Sequence, residues 1–239
     1  MTKVDIAVTI APENKITEET LQQLKLYSDS FEIIELRIDQ WQAYNNELLK
    51  QTIESIKELN INKRLLVTYR TQSQGGAGTL EDDNYRQLLF NISNVNGVDL
   101  LDIEFDKSVN RDLFIALVND VESQGVETVL SYHDFKQTPP IEELKHLYFK
   151  MHQLSPSYIK VAVMPHDKMD VLRLLEVVSE TADTVSEKVI GISMSKLGIV
   201  SRTAQGVFGG VVSYGCLDTP KAPGQIHVET LRAQLNLYE

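Results

Sequence analysis

Eight times along the chain a short apolar, β-branched run gives way to a segment with helical spacing, and the connections are short. The runs cover residues 4–11, 31–39, 64–70, 98–105, 127–133, 158–164, 188–195 and 211–217. Helical patterns follow from Thr17, then over 47–59, 80–92, 112–123, 141–152, about 168–181, about 197–205 and 226–237. The Thr17 hydroxyl, just ahead of Glu18 and Glu19, is placed to cap the first helix. Such alternation predicts parallel strands joined by crossover helices. At 239 residues, eight units predict an α/β fold closed as a (β/α)8 TIM barrel, a single domain over residues 1–239. A doubly wound open sheet is the alternative.

Side chains alternate across a strand, so each run also predicts two faces. Ile34, Leu36 and Ile38 oppose Glu35, Arg37 and Asp39, and Val67 and Tyr69 oppose Thr68 and Arg70. Leu101, Ile103 and Phe105 oppose Asp102 and Glu104; Ile159, Val161 and Val163 oppose Lys160 and Ala162; Ile190 and Ile192 oppose Gly191 and Ser193. In a barrel the apolar face packs beneath helices and the charged face points inward. Polar groups gather toward the C-terminal strand ends, at Arg37, Asp39, Arg70, Glu104, His133, Ser193 and Ser195, which is where a barrel carries its active site. A buried ion-pair network is the competing explanation, but it is costly in desolvation, and so many convergent groups favour a polar ligand.

Lys160 stands in the middle of the sixth run, Tyr158-Ile159-Lys160-Val161-Ala162-Val163-Met164. An ammonium there must be paired or neutralised. It is either a structural lysine paired with a buried carboxylate, or an amine of lowered pKa that attacks a carbonyl to form a Schiff base. His133 ends the neighbouring fifth strand, within reach of the same substrate atom, and reads as its general base. Arg37, Arg70 and Arg202 follow strands two, three and seven, where guanidinium forks can grip a carboxylate or hydroxyls. For Arg202 a solvated charge on a short helix is the other reading. Gln74-Gly75-Gly76-Ala77-Gly78 lacks the Lys-Ser/Thr of a phosphate loop and reads as a flexible loop.

Composition excludes several classes. The formal charge of -11, from 23 basic and 34 acidic residues, argues against a nucleic-acid or anionic-membrane partner. Cys216, the one cysteine, lacks neighbours at metal-ligand spacing and reads as a small buried hydrophobe. His133 beside Asp134 is no metal motif, since adjacent strand residues face apart. With no signal peptide and no bilayer-spanning run, a cytoplasmic protein is expected.

Taken in order, Glu35-Leu36-Arg37-Ile38-Asp39, Tyr69-Arg70, Asp102-Ile103-Glu104, Ser131-Tyr132-His133-Asp134, the Lys160 strand, Met194-Ser195-Lys196-Leu197-Gly198 with Ser201-Arg202, and Ala222-Pro223-Gly224-Gln225 span nearly the whole chain. In them the sequence resembles the type I 3-dehydroquinate dehydratase family, Schiff-base enzymes of the shikimate pathway of aromatic amino acid biosynthesis. The resemblance implies that Lys160 attacks the ketone of 3-dehydroquinate, and that His133 removes a proton from carbon 2 and then protonates the hydroxyl leaving carbon 1. This syn elimination yields 3-dehydroshikimate, needs no metal or organic cofactor, and makes the chain a hydro-lyase. By the same resemblance Glu104 orients His133, Arg202 and Gln225 hold the substrate carboxylate and neighbouring hydroxyl, and Glu35, Arg37 and Arg70 hold the hydroxyls at carbons 4 and 5. A homodimer is the family-level expectation. Two positions depart from many relatives: Gln74, often glutamate, and Lys221, often serine in the loop expected to close over substrate.

Two rivals stand beside this reading. A Schiff-base aldolase would want a phosphate grip, and residues 218–225 offer no glycine-rich turn running into a helix. A catalytically silent sensor of shikimate-like metabolites would need neither Lys160 nor His133.

Overall fold

The computed structural model describes residues 2–106 and 110–238. The predicted alternation is present: β1 (Asp5–Ile10), α1 (Glu18–Leu26), β2 (Ile33–Arg37), α2 (Asn46–Glu58), β3 (Arg64–Thr68), α3 (Asp82–Ser93), β4 (Leu100–Glu104) and α4 (Arg111–Ser123) make the first half. β5 (Glu127–Asp134), α5 (Ile141–His152), β6 (Tyr158–Val163), α6 (Lys168–Ala182), β7 (Lys188–Ser193), α7 (Ile199–Thr203), β8 (Val212–Gly215) and α8 (Val228–Leu235) make the second. Several helices begin where the sequence offers caps: at α1 Thr17 Oγ1 accepts from Thr20 N, and at α6 Asp167 accepts from Met169 N and Asp170 N.

All the strand pairs are parallel, in the order β7-β6-β5-β4-β3-β2-β1-β8. The backbone N–H of Val211, just before β8, donates to Val189 O on β7 at 3.0 Å, drawing the two edges into a nearly closed barrel. An open doubly wound sheet is therefore set aside.

Two apolar layers follow from the strand faces. Outside the barrel, Ile34, Leu36, Val67, Ile103 and Val161 are fully buried beneath helix residues such as Leu49, Leu89, Val118 and Leu174. Inside, Ile33, Leu66, Leu100, Val129, Ile190 and Val212 fill the lower barrel. Below them Arg64 pairs with Asp5 and Glu127, and Lys188 with Glu127, at the N-terminal ends of their strands. The packed floor leaves the upper interior to the polar groups.

Two expectations are corrected. On β7 the faces are reversed: Ile190 and Ile192 point inward, in register with Lys160 and Ala162, while the space beside Gly191 holds the α6 residue Val178 and the Ser193 N–H meets Ser201 of α7. Parallel neighbours in register share a face, so the inward position of Lys160 fixes that of Ile190. The seventh helix is also shorter than its pattern, only Ile199–Thr203, and passes into a 3-10 turn at Gln205–Phe208.

Candidate active site

Lys160, buried on β6, projects into the upper barrel with its Nζ over the ring of Tyr214. Among the described residues no group hydrogen-bonds that Nζ. Burial, reinforced by Arg70 and Arg37 and opposed by Glu35 and Asp102, lowers its pKa to about 8. The structural-lysine reading requires a carboxylate in contact, and none is there among the described residues. A sizeable fraction of the amine is neutral near pH 7–8.

The carboxylates are held by other donors. Glu35 accepts from Thr9 Oγ1 at 2.6 Å and Thr68 Oγ1 at 3.2 Å. Burial raises the pKa of Glu35, but Lys160, Arg37, the Thr9 hydrogen bond and Arg70 outweigh it and keep the carboxyl ionised. Arg37 grips Asp39 with both arms, Nε to Oδ1 at 2.7 Å and Nη2 to Oδ2 at 2.8 Å. Asp39 also accepts from the backbone N–H groups of Arg70 and Ala77, so it carries the loop after β3. Arg70 binds Glu104 Oε1 and Ser131 Oγ, each at 3.0 Å, through Nη1, and Asp102 Oδ1 at 2.9 Å through Nη2.

His133 is inward on β5, one inward position nearer the strand ends than Ser131, which is in register with Lys160. Burial, then the charges of Arg70, Lys160 and Arg37, holds its pKa well below the usual imidazole value. Its ring partner is Gln74: Nδ1 lies 3.1 Å from Gln74 Oε1. Glu104, expected from the resemblance to orient His133, instead accepts from Arg70, Thr71 N at 2.8 Å and Thr71 Oγ1 at 2.6 Å. Its carboxylate is occupied one strand away, and no hydrogen bond joins it to His133 among the described residues.

Arg202 is 2% exposed. Its Nη1 donates to Tyr214 O at 3.2 Å and its Nη2 to Pro223 O at 3.1 Å, while Nε has no partner and no carboxylate pairs with it among the described residues. Burial lowers its pKa to about 10, still cationic at neutral pH. A buried guanidinium held only by backbone carbonyls is a seat for an anion. Gln225 ties the loop after β8 to the barrel: Oε1 accepts from Lys221 N and Ala222 N, and Nε2 donates to Thr9 Oγ1 at 3.0 Å.

Glu35, Arg37, Arg70, His133, Lys160, Arg202 and Gln225 thus meet around one cavity of about 80 Å³, with Lys221 at its rim. Glu104 stands behind Arg70 and does not line it. Sequence reasoning missed Thr9 and Tyr214, although each occupies an inward position, two residues from the inward Ala7 and Val212. A larger cavity, about 470 Å³, lies outside the barrel against Leu113, Phe114 and Leu117; no lysine or histidine lines it among the described residues. Among the described residues no group of three His, Cys, Asp or Glu side chains is arranged to hold a metal ion. The arrangement can form a covalent adduct with a carbonyl, move a proton beside it and hold an anion.

The type I 3-dehydroquinase family model matches residues 6–239 of the chain. The 3-dehydroquinate dehydratase of Staphylococcus saprophyticus is 55% identical over 239 residues, covering 100% of both chains. Among solved structures, type I 3-dehydroquinate dehydratase from Clostridium difficile with covalent modified comenic acid is similar at 32% identity and a TM-score of 0.88, covering 100% of this chain and 93% of that one. The 3-dehydroquinate dehydratase of Geobacillus kaustophilus is similar at 26% identity and a TM-score of 0.89, covering 99% of this chain and 91% of that one.

Proposed function

This chain belongs to the type I 3-dehydroquinase family, hydro-lyases that remove water from 3-dehydroquinate, and we propose that Lys160 and His133 carry the reaction. The neutral Lys160 amine adds to the ketone at carbon 3, and loss of water gives an iminium that acidifies carbon 2. His133 takes a proton from carbon 2, electrons pass into the iminium, and the hydroxyl leaves carbon 1 with a proton returned by His133. Water then cleaves the imine, freeing 3-dehydroshikimate and Lys160. The iminium is the electron sink, so the proposal needs no metal or organic cofactor.

Arg202 and Gln225 bind the carboxylate and adjoining hydroxyl in this reading, and Glu35, Arg37 and Arg70 face the hydroxyls at carbons 4 and 5. Glu104 then acts through Arg70, whose fork it holds. The observation that carries the proposal is a buried amine that, among the described residues, has no hydrogen-bond partner, sharing one small cavity with an imidazole and a guanidinium that no described carboxylate pairs with. The covalent modified comenic acid of the Clostridium difficile relative supports covalent chemistry on this scaffold. The aldolase and sensor readings give way to the family.

The same proposal has the chain act as one catalytic domain, in a cytoplasmic homodimer, without a nucleic-acid partner. Among the described residues no helix is long and apolar enough to cross a membrane. The test follows the conjugated enone absorbance of the product after 3-dehydroquinate is added. Wild type should generate it, while Lys160→Met and His133→Ala should each lose activity at least about 100-fold; a Lys160→Met variant with wild-type turnover would overturn the proposal.

A further inference from the structure

We propose that Gln74 is a positioning residue for His133, locking the imidazole in the Nδ1–H tautomer with a neutral acceptor and leaving Nε2 as the basic nitrogen. The inference rests on reading His133 as the base, and it starts from the backbone. Gln74 closes a 3-10 turn (Gln72–Gln74) after β3 and is buried. Its Oε1 accepts from the backbone N–H of His133 at 2.9 Å. A peptide N–H can only donate, so the amide atom facing His133 is the oxygen.

The other end of the amide agrees. Gln74 Nε2 donates to Phe105 O at 3.2 Å, and a peptide carbonyl can only accept. The oxygen, so fixed, stands 3.1 Å from His133 Nδ1 and has no proton to give. Nδ1 must therefore carry the hydrogen, and in the neutral ring the lone pair falls on Nε2.

The turn that presents Gln74 is itself held in place. Gly75, at φ +83°, donates its N–H to Gln72 O, and the Phe135 ring fills the volume that a Cβ on Gly75 would need. The same ring stacks on His133, with centroids 6.4 Å apart and planes at 19°.

The charges around His133 explain why a neutral acceptor matters. Arg37 and Glu35 on β2, Arg70 at the end of β3 and Lys160 on β6 face the site, while Asp102 and Glu104 on β4 are bonded to Arg70. No carboxylate hydrogen-bonds the imidazole among the described residues, and Gln74 fixes the ring without supplying one.

Labelling the five histidines with nitrogen-15 and recording long-range proton–nitrogen spectra of the unliganded protein tests this directly, with His133→Asn identifying the His133 signals. The expected result is Nδ1 protonated and Nε2 bare in wild type, with Gln74→Ala shifting the ring toward the Nε2–H form that free histidine favours. In kinetics, Gln74→Ala should lower kcat roughly 10- to 100-fold with KM changed less than about threefold. Gln74→Glu should keep most of kcat but move its acid limb up by about one pH unit, because a carboxylate favours the imidazolium. A wild-type His133 protonated on Nε2 would overturn the proposal, as would Gln74→Ala with unchanged tautomer, kcat and pH profile. A fully active His133→Ala would instead sink the reading of His133 as base, and the spectra would still report on the tautomer.

Discussion

Lys160 Nζ lies 3.9 Å from the centre of the Tyr214 ring, on the far side of the β6–β7–β8 stretch of the barrel. The ring face is a weak attractor for an ammonium, and it offers no lone pair to tie the neutral amine down. Together with the lowered pKa, this leaves an amine that is part neutral near pH 8 and, among the described residues, held by no hydrogen bond.

If that is so, Lys160 titrates early. Pulse labelling with an amine-specific reagent, read peptide by peptide by mass spectrometry, should show Lys160 reactivity rising through pH about 8. Exposed lysines should rise near their usual pKa of about 10.4. A Lys160 midpoint near 10 would contradict the assignment.

The same lysine should be a burden on stability. The unfolded chain keeps the Lys160 proton up to the ordinary lysine value of about 10.5, whereas the folded chain begins to lose it near 8. The desolvation penalty is therefore full below pH 8 and fades as pH rises toward 10.5. Lys160→Met should be more stable than wild type at pH 7 by up to roughly 3 kcal/mol, with the gap shrinking as pH rises through that window. Urea denaturation at a series of pH values checks both the sign and the trend.

Arg202 separates binding from chemistry. Arg202→Leu should raise KM about 100-fold, the loss expected for a paired, charge-assisted contact to a carboxylate, with a smaller fall in kcat. Its urea midpoint should stay close to wild type, because the change also removes a buried guanidinium that no carboxylate pairs with among the described residues. An unchanged KM would show that the carboxylate binds elsewhere.

Arg70 carries the opposite expectation. It is the common partner of Asp102 and Glu104, both buried, and burial's downward pull on its pKa is outweighed by their charges. Arg70→Ala leaves two buried carboxylates without their cation and should cost about 3–5 kcal/mol in denaturant unfolding. A loss below about 1 kcal/mol would mean that water compensates for the missing fork.

Much of this was legible in the sequence because strand parity and strand order are local properties. Lys160 stood out as a charge in a β-branched run, and Glu35, Arg37, Arg70 and His133 each fell on an inward position. Parity failed on β7, where isoleucines alternate with glycine and serine, because the lower barrel interior is itself apolar and Ile190 suits either layer. The burial of Arg202 depends on a five-residue helix pressing it against Tyr214 and Pro223, contacts 12 and 21 residues away. The glycine loop read as merely flexible; only the fold shows it folded back on Arg70 and Thr71 and delivering Gln74 to His133, 59 residues on. The partner of Glu104 was likewise decided by which groups meet across strands, which no single strand reveals.

The central claim is a covalent bond at Lys160. Borohydride added while the protein turns over 3-dehydroquinate should trap a secondary amine, and peptide mapping by mass spectrometry should place it on Lys160 alone. Product formed under the same conditions with no adduct on Lys160 would contradict the account.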